Sequence, residues 1–216
     1  MNFLDYKNKF IDFAIENNIL QFGNFKTKSG RVSPYFFNTG NFSDSKSLVN
    51  IGKFYSRAII DSKIEFDTVF GPAYKGIPLV TSTSIALMEN GKNCKVSFNR
   101  KERKNHGDSG IIFGSTPNDR VIILDDVITS GLSINESKNL IDYFNGKLQA
   151  IYVSLDRMEV SDSGISAIKK ISELYEVPVF SIINIEDIIE YLSQNKKYQS
   201  RVENIREYIK KYSQNI

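Results

Sequence analysis

The 216-residue chain has no tryptophan, one cysteine, one histidine and only five prolines, and its formal net charge is just +3. Each scarcity excludes something. Cys94 has no partner for a disulfide within the chain, and a single histidine leaves no Cys/His cluster at zinc-ligand spacing, so the expected setting is a reducing one, the cytoplasm. No stretch reaches the roughly 20 apolar residues of a membrane span, so no membrane partner is expected. Met1 leads instead into Phe3, Tyr6, Phe10, Phe13 and Ala14 at helical spacing, mixed with Asp5, Asp12 and Glu16, which reads as an amphipathic helix and not a signal peptide. So small a net charge does not by itself imply nucleic acid. No repeat or low-complexity linker divides the chain, and 41% hydrophobic with 25% charged residues is an ordinary globular balance. One domain, residues 1–216, is expected.

What is present is organised around Val121-Ile122-Ile123-Leu124-Asp125-Asp126-Val127-Ile128-Thr129-Ser130-Gly131. The unbroken apolar run reads as a strand buried on both faces, with two carboxylates where it leaves the sheet. Ser133 with Glu136 three residues on is a capping-box pattern, and Ile134, Ile141 and Phe144 give a helix its apolar stripe. A small-residue loop before a helix start gathers free N–H groups at one spot and suits a phosphate. Two adjacent acids would repel a bare phosphate, so the ligand should also carry hydroxyls or a divalent cation. A ribose 5-phosphate meets both demands. The bland alternative is a buried strand, an Asp turn and a helix cap.

Elsewhere, Leu20 to Phe37 mixes aromatics with Gly23, Gly30 and Pro34 and reads as a small β hood, residues 20–40 approximately. Strand neighbours point to opposite sides, so Tyr35, Phe36 and Phe37 cannot all face one core. Asp44 or Ser45 could cap a helix through Leu48, Ile51, Tyr55 and Ile59. Thr68-Val69-Phe70 is a short strand ending in the turn Gly71 to Pro78, where Lys75 is either an exposed turn lysine or an anion contact at a strand's C-terminal end. Lys95-Val96-Ser97-Phe98 reads as a third short strand. The segment from about 99 to 114 has no period and carries Arg100, Lys101, Arg103, Lys104 and His106. A solvated face, a nucleic-acid patch and a mobile cover for a polyphosphate all compete for it, although it lacks the interleaved aromatics of a nucleic-acid site. Ala150 to Leu155 and Val179 to Ile183 are further strands. The alternation of strand and helix predicts an α/β fold, a doubly wound parallel sheet flanked by helices with the hood at one end.

Together the strings Lys-Ser-Gly-Arg (28–31), Ser-Pro-Tyr-Phe-Phe-Asn (33–38), Phe-Gly-Pro-Ala-Tyr-Lys-Gly-Ile-Pro (70–78), Phe-Asn-Arg-Lys-Glu (98–102), His-Gly-Asp (106–108), Asp-Asp-Val-Ile-Thr (125–129) and Leu-Asp-Arg (155–157) resemble the bacterial orotate phosphoribosyltransferases over nearly the whole chain. The resemblance implies the type I phosphoribosyltransferase fold and transfer of a phosphoribosyl group from 5-phosphoribosyl 1-diphosphate (PRPP) to orotate. It assigns Tyr74, Lys75, Arg100, Lys101, Lys104, His106, Asp125, Asp126 and the loop Val127, Ile128, Thr129, Ser130, Gly131, Leu132 and Ser133 to PRPP. Lys101, Lys104, His106 and the two acids would take part in catalysis. Lys28, Phe36, Phe37, Thr129 and Arg157 would hold orotate. It further implies Mg²⁺ held mainly by PRPP and water, and a homodimer whose basic lid covers the neighbouring subunit's site. Leu132 departs from the threonine that relatives often carry there. A PRPP-sensing regulator and a purine phosphoribosyltransferase on the same fold are the alternatives; the lid and Arg157 argue against the first, the Phe36-Phe37 hood and Arg157 against the second.

Overall fold

The computed structural model describes residues 3–27, 30–104, 110–114, 117–160 and 164–213. Helix α1 (Phe3–Glu16) leads into the hood, an antiparallel pair β1 (Leu20–Lys26) and β2 (Val32–Phe37). Helix α2 (Ser45–Ser62) then starts at Asp44, whose carboxylate accepts from the Ser47 amide while the Ser47 hydroxyl faces the Asp44 amide. That reciprocal cap satisfies two of the amides a helix start leaves open.

The main sheet follows: β3 (Thr68–Gly71), α3 (Gly76–Glu89), β4 (Lys95–Lys104), β5 (Gly110–Phe113), β6 (Arg120–Leu124), α4 (Leu132–Tyr143), β7 (Lys147–Asp156), α5 (Ala167–Tyr175) and β8 (Val179–Asn184), with α6 (Ile185–Ser193) and α7 (Gln199–Tyr212) after it. Its six strands lie in the order β5-β4-β3-β6-β7-β8, all parallel except the edge strand β5. The order reverses direction beside β3, so the crevice between the C-terminal ends of β3 and β6 is where an open α/β sheet takes its ligand.

The apolar run of β6 is continuous because both of its faces are covered. Ile122 and Leu124 pack with Ala150 and Tyr152 under the α1, α2, α3, α6 and α7 side, while Val121 and Ile123 pack with Ile151 and Val153 under α4 and α5. The hood also alternates as a strand must: Tyr35 and Phe37 are buried and Phe36 is exposed.

Two expectations fail. The strand at Lys95 does not stop at Phe98 but runs to Lys104 and pairs with β5 through Phe98↔Phe113 and Lys104↔Gly110. A segment without hydrophobic period is thus largely a two-stranded ribbon. Backbone pairing and the stacked rings of Phe98 and Phe113, 4.8 Å apart, hold it without an alternating apolar pattern. Nor does Ser133 cap α4: the helix begins at Leu132 and its N-cap is Gly131, two residues before Ser133, in a left-handed conformation.

Helices α2 and α3 approach so closely that a methyl group on Gly52 would lie 2.4 Å from the Ser82 carbonyl oxygen. Alanine in a helix interior is intrinsically favoured over glycine by about 1 kcal/mol. Forcing two backbones apart costs about 1–3 kcal/mol, and this term should dominate. Gly52→Ala is expected to lower the thermal midpoint by several degrees, which a calorimetric scan checks; a raised midpoint would show that the helices separate freely.

Candidate active site

Three chain segments converge at the C-terminal edge of the sheet. The first is the pair Asp125 and Asp126 at the end of β6, both buried. The Asp126 amide donates to Asp125 Oδ1 (2.9 Å), the Ser133 hydroxyl to Asp125 Oδ2 (2.7 Å), and the Val127 amide to Asp126 Oδ1 (2.7 Å). Lys75, presented by the turn between β3 and α3, reaches Asp126 Oδ2 at 2.9 Å, and the Thr39 hydroxyl donates to the same oxygen. That turn is closed by the Gly76 amide on the Pro72 carbonyl (2.9 Å) and fastened to β4 by the Ala73 amide on Asn99 Oδ1 (2.7 Å).

Adjacent buried acids separate in character. Burial and the neighbouring Asp126 charge push Asp125 up to about 7. Burial acts upward on Asp126 too, but its bonds from Thr39 and Lys75 and the ammonium charge outweigh it and hold Asp126 below the usual carboxylate range. The pair therefore carries one firm negative charge and one that comes and goes near neutrality.

The second segment is the loop 127–131. Ile128 is buried in the core, while Thr129 and Ser130 are exposed and Leu132 is 61% exposed. Among the described residues the amides of Ile128, Thr129, Ser130 and Gly131 have no acceptor, and α4 starts without a side-chain cap. Those donors lie at the N-terminal end of α4 and remain open to an anion.

The third is the hood with Arg157, just past β7. The Arg157 guanidinium lies 4.4 Å over the Tyr35 ring and donates to Ser33 Oγ (3.1 Å) and, from Nε and Nη2, to Glu159 Oε1 (2.9 and 2.6 Å). Its salt-bridge partner is Glu159 and not the adjacent Asp156. Phe36, 43% exposed, stacks on Phe25 at 5.4 Å and offers a flat apolar wall.

Of the residues picked from the sequence, Lys75, Asp125, Asp126 and the loop through Ser133 come together, and Phe36 and Arg157 flank them through the hood. Phe37 faces the core, Tyr74 is exposed, and Arg100 lies on β4. Lys101 and Lys104 occupy the far half of β4, whereas Lys28 and His106 lie outside the described residues. Thr39, Ser33, Glu159 and Tyr55 escaped sequence reasoning; the buried Tyr55 hydroxyl donates to the Asp125 carbonyl (2.6 Å) and meets Ser154 Oγ (2.8 Å). Nothing local marks Thr39 or Ser33, since their partners are 87 and 124 residues away.

A larger groove lined by Phe66, Asp67, Lys92, Lys95, Asp119 and Arg120 sits at the opposite, N-terminal ends of the strands. Four of its charges are paired among themselves, Lys95 with Asp119 and Arg120 with Asp67, and the Lys92 ammonium lies 4.9 Å over the Phe66 ring, so it presents no comparable site.

The phosphoribosyl transferase domain family model matches residues 38–180. The chain is 50% identical to an orotate phosphoribosyltransferase of Nitrosomonas europaea over 188 residues, 87% of this chain and 83% of the relative. It is 42% identical to that of Thiobacillus denitrificans, over 96% of this chain and 98% of the relative. Among solved structures, the orotate phosphoribosyltransferase of Francisella tularensis superposes with a TM-score of 0.86 at 39% identity, covering 95% of this chain and 99% of that one.

The raised carboxyl of Asp125 has a stability signature. The folded protein retains a proton that the unfolded chain releases near pH 4, so stability falls as pH climbs from about 4 through about 7. Asp125→Asn, which keeps an acceptor for the Asp126 amide, should raise the midpoint of the ligand-free protein at pH 8 and leave it nearly unchanged at pH 5. Equal shifts at both pH values would contradict the assignment.

Proposed function

We infer that this chain, which belongs to the orotate phosphoribosyltransferase family, transfers the 5-phosphoribosyl group of PRPP to N1 of orotate, giving orotidine 5′-monophosphate and pyrophosphate in pyrimidine synthesis. The observation that carries the reading is the meeting of a buried acid pair, a loop of open amides and a carboxylate-sized arginine site at one sheet edge. In the reaction the bond from ribose C1 to diphosphate loosens while orotate N1 approaches the opposite face, so charge leaves on a polyanion and a cation-like sugar is exposed.

Each group has a task that its surroundings favour. The 127–131 amides and the start of α4 suit the 5′-phosphate. Asp125 and Asp126 accept from the ribose 2′- and 3′-hydroxyls and orient the ring. Lys75 exchanges Asp126 for the incoming diphosphate, joined by Tyr74, Arg100 and the lid cations Lys101, Lys104 and His106, which together stabilise the leaving group and exclude water. Arg157 takes the orotate carboxylate, with Lys28, Thr129 and the backbone of Phe36 and Phe37 around the ring. A guanidinium fork matches a carboxylate with two parallel bonds, which a base lacking that group forgoes.

Among the described residues no group of three or more His, Cys, Asp or Glu could hold a metal ion. The donors at hand are the two hard carboxylates, a set that suits Mg²⁺ arriving on PRPP with its remaining ligands from phosphate and water. Bound there, Mg²⁺ would supply Lewis-acid neutralisation of the diphosphate. The protein is further read as a single-domain cytoplasmic enzyme. It would act as a homodimer in which the ribbon of β4 and β5 carries the basic lid to the neighbouring subunit.

Mixing protein, PRPP, Mg²⁺ and orotate should lower the orotate absorbance at a rate proportional to enzyme. No change with orotate, alongside conversion of a purine base, would overturn the reading. The lid in trans is tested by complementation: inactive Lys104→Ala mixed with inactive Asp125→Asn should regain activity after subunit exchange, because one site of each hybrid collects both defects and the other is intact. No recovery after exchange has been verified would place the lid on its own subunit.

A further inference from the structure

Arg157 is not a free cation waiting for a ligand. Its Nε and Nη2 both donate to one oxygen, Glu159 Oε1, at 2.9 and 2.6 Å, so the side edge of the guanidinium is occupied. Nη2 also reaches Ser33 Oγ, and Nη1 has no partner among the described residues. Glu159 is in turn held from two further directions. The Tyr208 hydroxyl of α7 donates to Oε1 at 2.9 Å, and Arg31 Nη1 stands 3.9 Å from Oε2. Arg31 is itself fixed, donating from Nη2 to the Val160 carbonyl (3.3 Å) and lying 4.6 Å over the Tyr212 ring.

We propose that Glu159 is the positioning residue for orotate recognition: it clamps the side edge of Arg157 so that the end edge, Nη1 and Nη2, faces the substrate carboxylate. The proposal rests on Arg157 reading that carboxylate. Two features distinguish the arrangement from a competing salt bridge. Glu159 takes the side edge with a single oxygen, leaving the opposite edge for a second carboxylate in plane with the first, its Nη2 hydrogen bond exchanged from Ser33. The charges also leave room: Arg157 and Arg31 together carry one positive charge more than Glu159 offsets, which a monocarboxylate ligand matches. With the ring face resting on Tyr35, the guanidinium is restrained in plane and in rotation before substrate arrives, which removes an ordering cost from binding. The C-terminal helix α7 thereby takes part in base selection through Tyr208, although it contributes nothing to the phosphate loop.

The test is steady-state kinetics of the full-length protein with PRPP, Mg²⁺ and orotate, comparing wild type with Glu159→Ala, Glu159→Gln, Tyr208→Phe and Arg157→Ala. Glu159→Ala should raise the orotate KM by roughly 10- to 100-fold, the scale of a lost charge-assisted contact, with kcat and the PRPP KM within about twofold of wild type. Glu159→Gln keeps an acceptor oxygen and should recover part of the loss. Tyr208→Phe should show a smaller increase of the same kind. If Glu159→Ala cannot be produced folded, the latter two variants carry the test. An unchanged or lowered orotate KM in the Glu159 variants, with Arg157→Ala raising it, would overturn the positioning role and mark Glu159 as structural or competing. An unchanged orotate KM in Arg157→Ala would instead overturn the reading of Arg157 itself, whatever Glu159 does.

Discussion

Two carboxylates on consecutive residues, both inside the protein, form the constraint to which the rest of the site is fitted. Neither can be charged there without partners, since an isolated buried carboxylate is far too costly. The fold answers for each separately. Asp126 has an ammonium and a hydroxyl brought by β3's turn and by the segment after β2, while Asp125 has the Ser133 hydroxyl, a backbone amide and, below neutrality, a proton. Three segments are thus drawn to the end of β6 by its electrostatic needs: the turn after β3, the segment after β2 and the start of α4. The helix that follows has Gly131 at its N-cap, with no side chain to cap it, and among the described residues the amides of 128–131 stay unclaimed beside the acids.

Lys75 shows how such a site reconciles stability with binding. With 61% of its side chain exposed, its pairing with Asp126 is worth little as a salt bridge. It is nevertheless enough to keep a cation parked at the mouth of the crevice, exposed enough to change partners. A deeper, tighter pair would stabilise the resting protein at the expense of the bound one.

Much of this was legible in the sequence, for identifiable reasons. Val121 to Leu124 announced a doubly covered strand because burial on both faces leaves no polar alternation, and the acids after it fell at the strand's end as the pattern required. The hood aromatics obeyed the two-residue period of an extended chain. The ribbon of β4 and β5 was missed because its cohesion comes from backbone pairing and one ring stack, which leave no trace in hydrophobic period. Ser133 was misread as a cap because local spacing cannot reveal that a carboxylate eight residues earlier folds back beside it. Thr39 and Ser33 were invisible for the same reason at longer range: a short polar side chain acquires its meaning only from what the tertiary structure places opposite.

The hood strand is fastened to the sheet edge at two points, Ser33 near the start of β2 to Arg157 and Thr39, just past its end, to Asp126, with the exposed ring of Phe36 between them. This makes the hood strand a measuring stick whose graduations are peptide units. Side chains along it can drift, but inserting or removing one residue would reverse the parity of the strand, turning Phe36 inward and Phe37 outward while pulling one tether off its mark. The distance along the chain between the residue that tethers Arg157 and the residue that tethers Asp126 is therefore set in whole residues and cannot be trimmed by fractions.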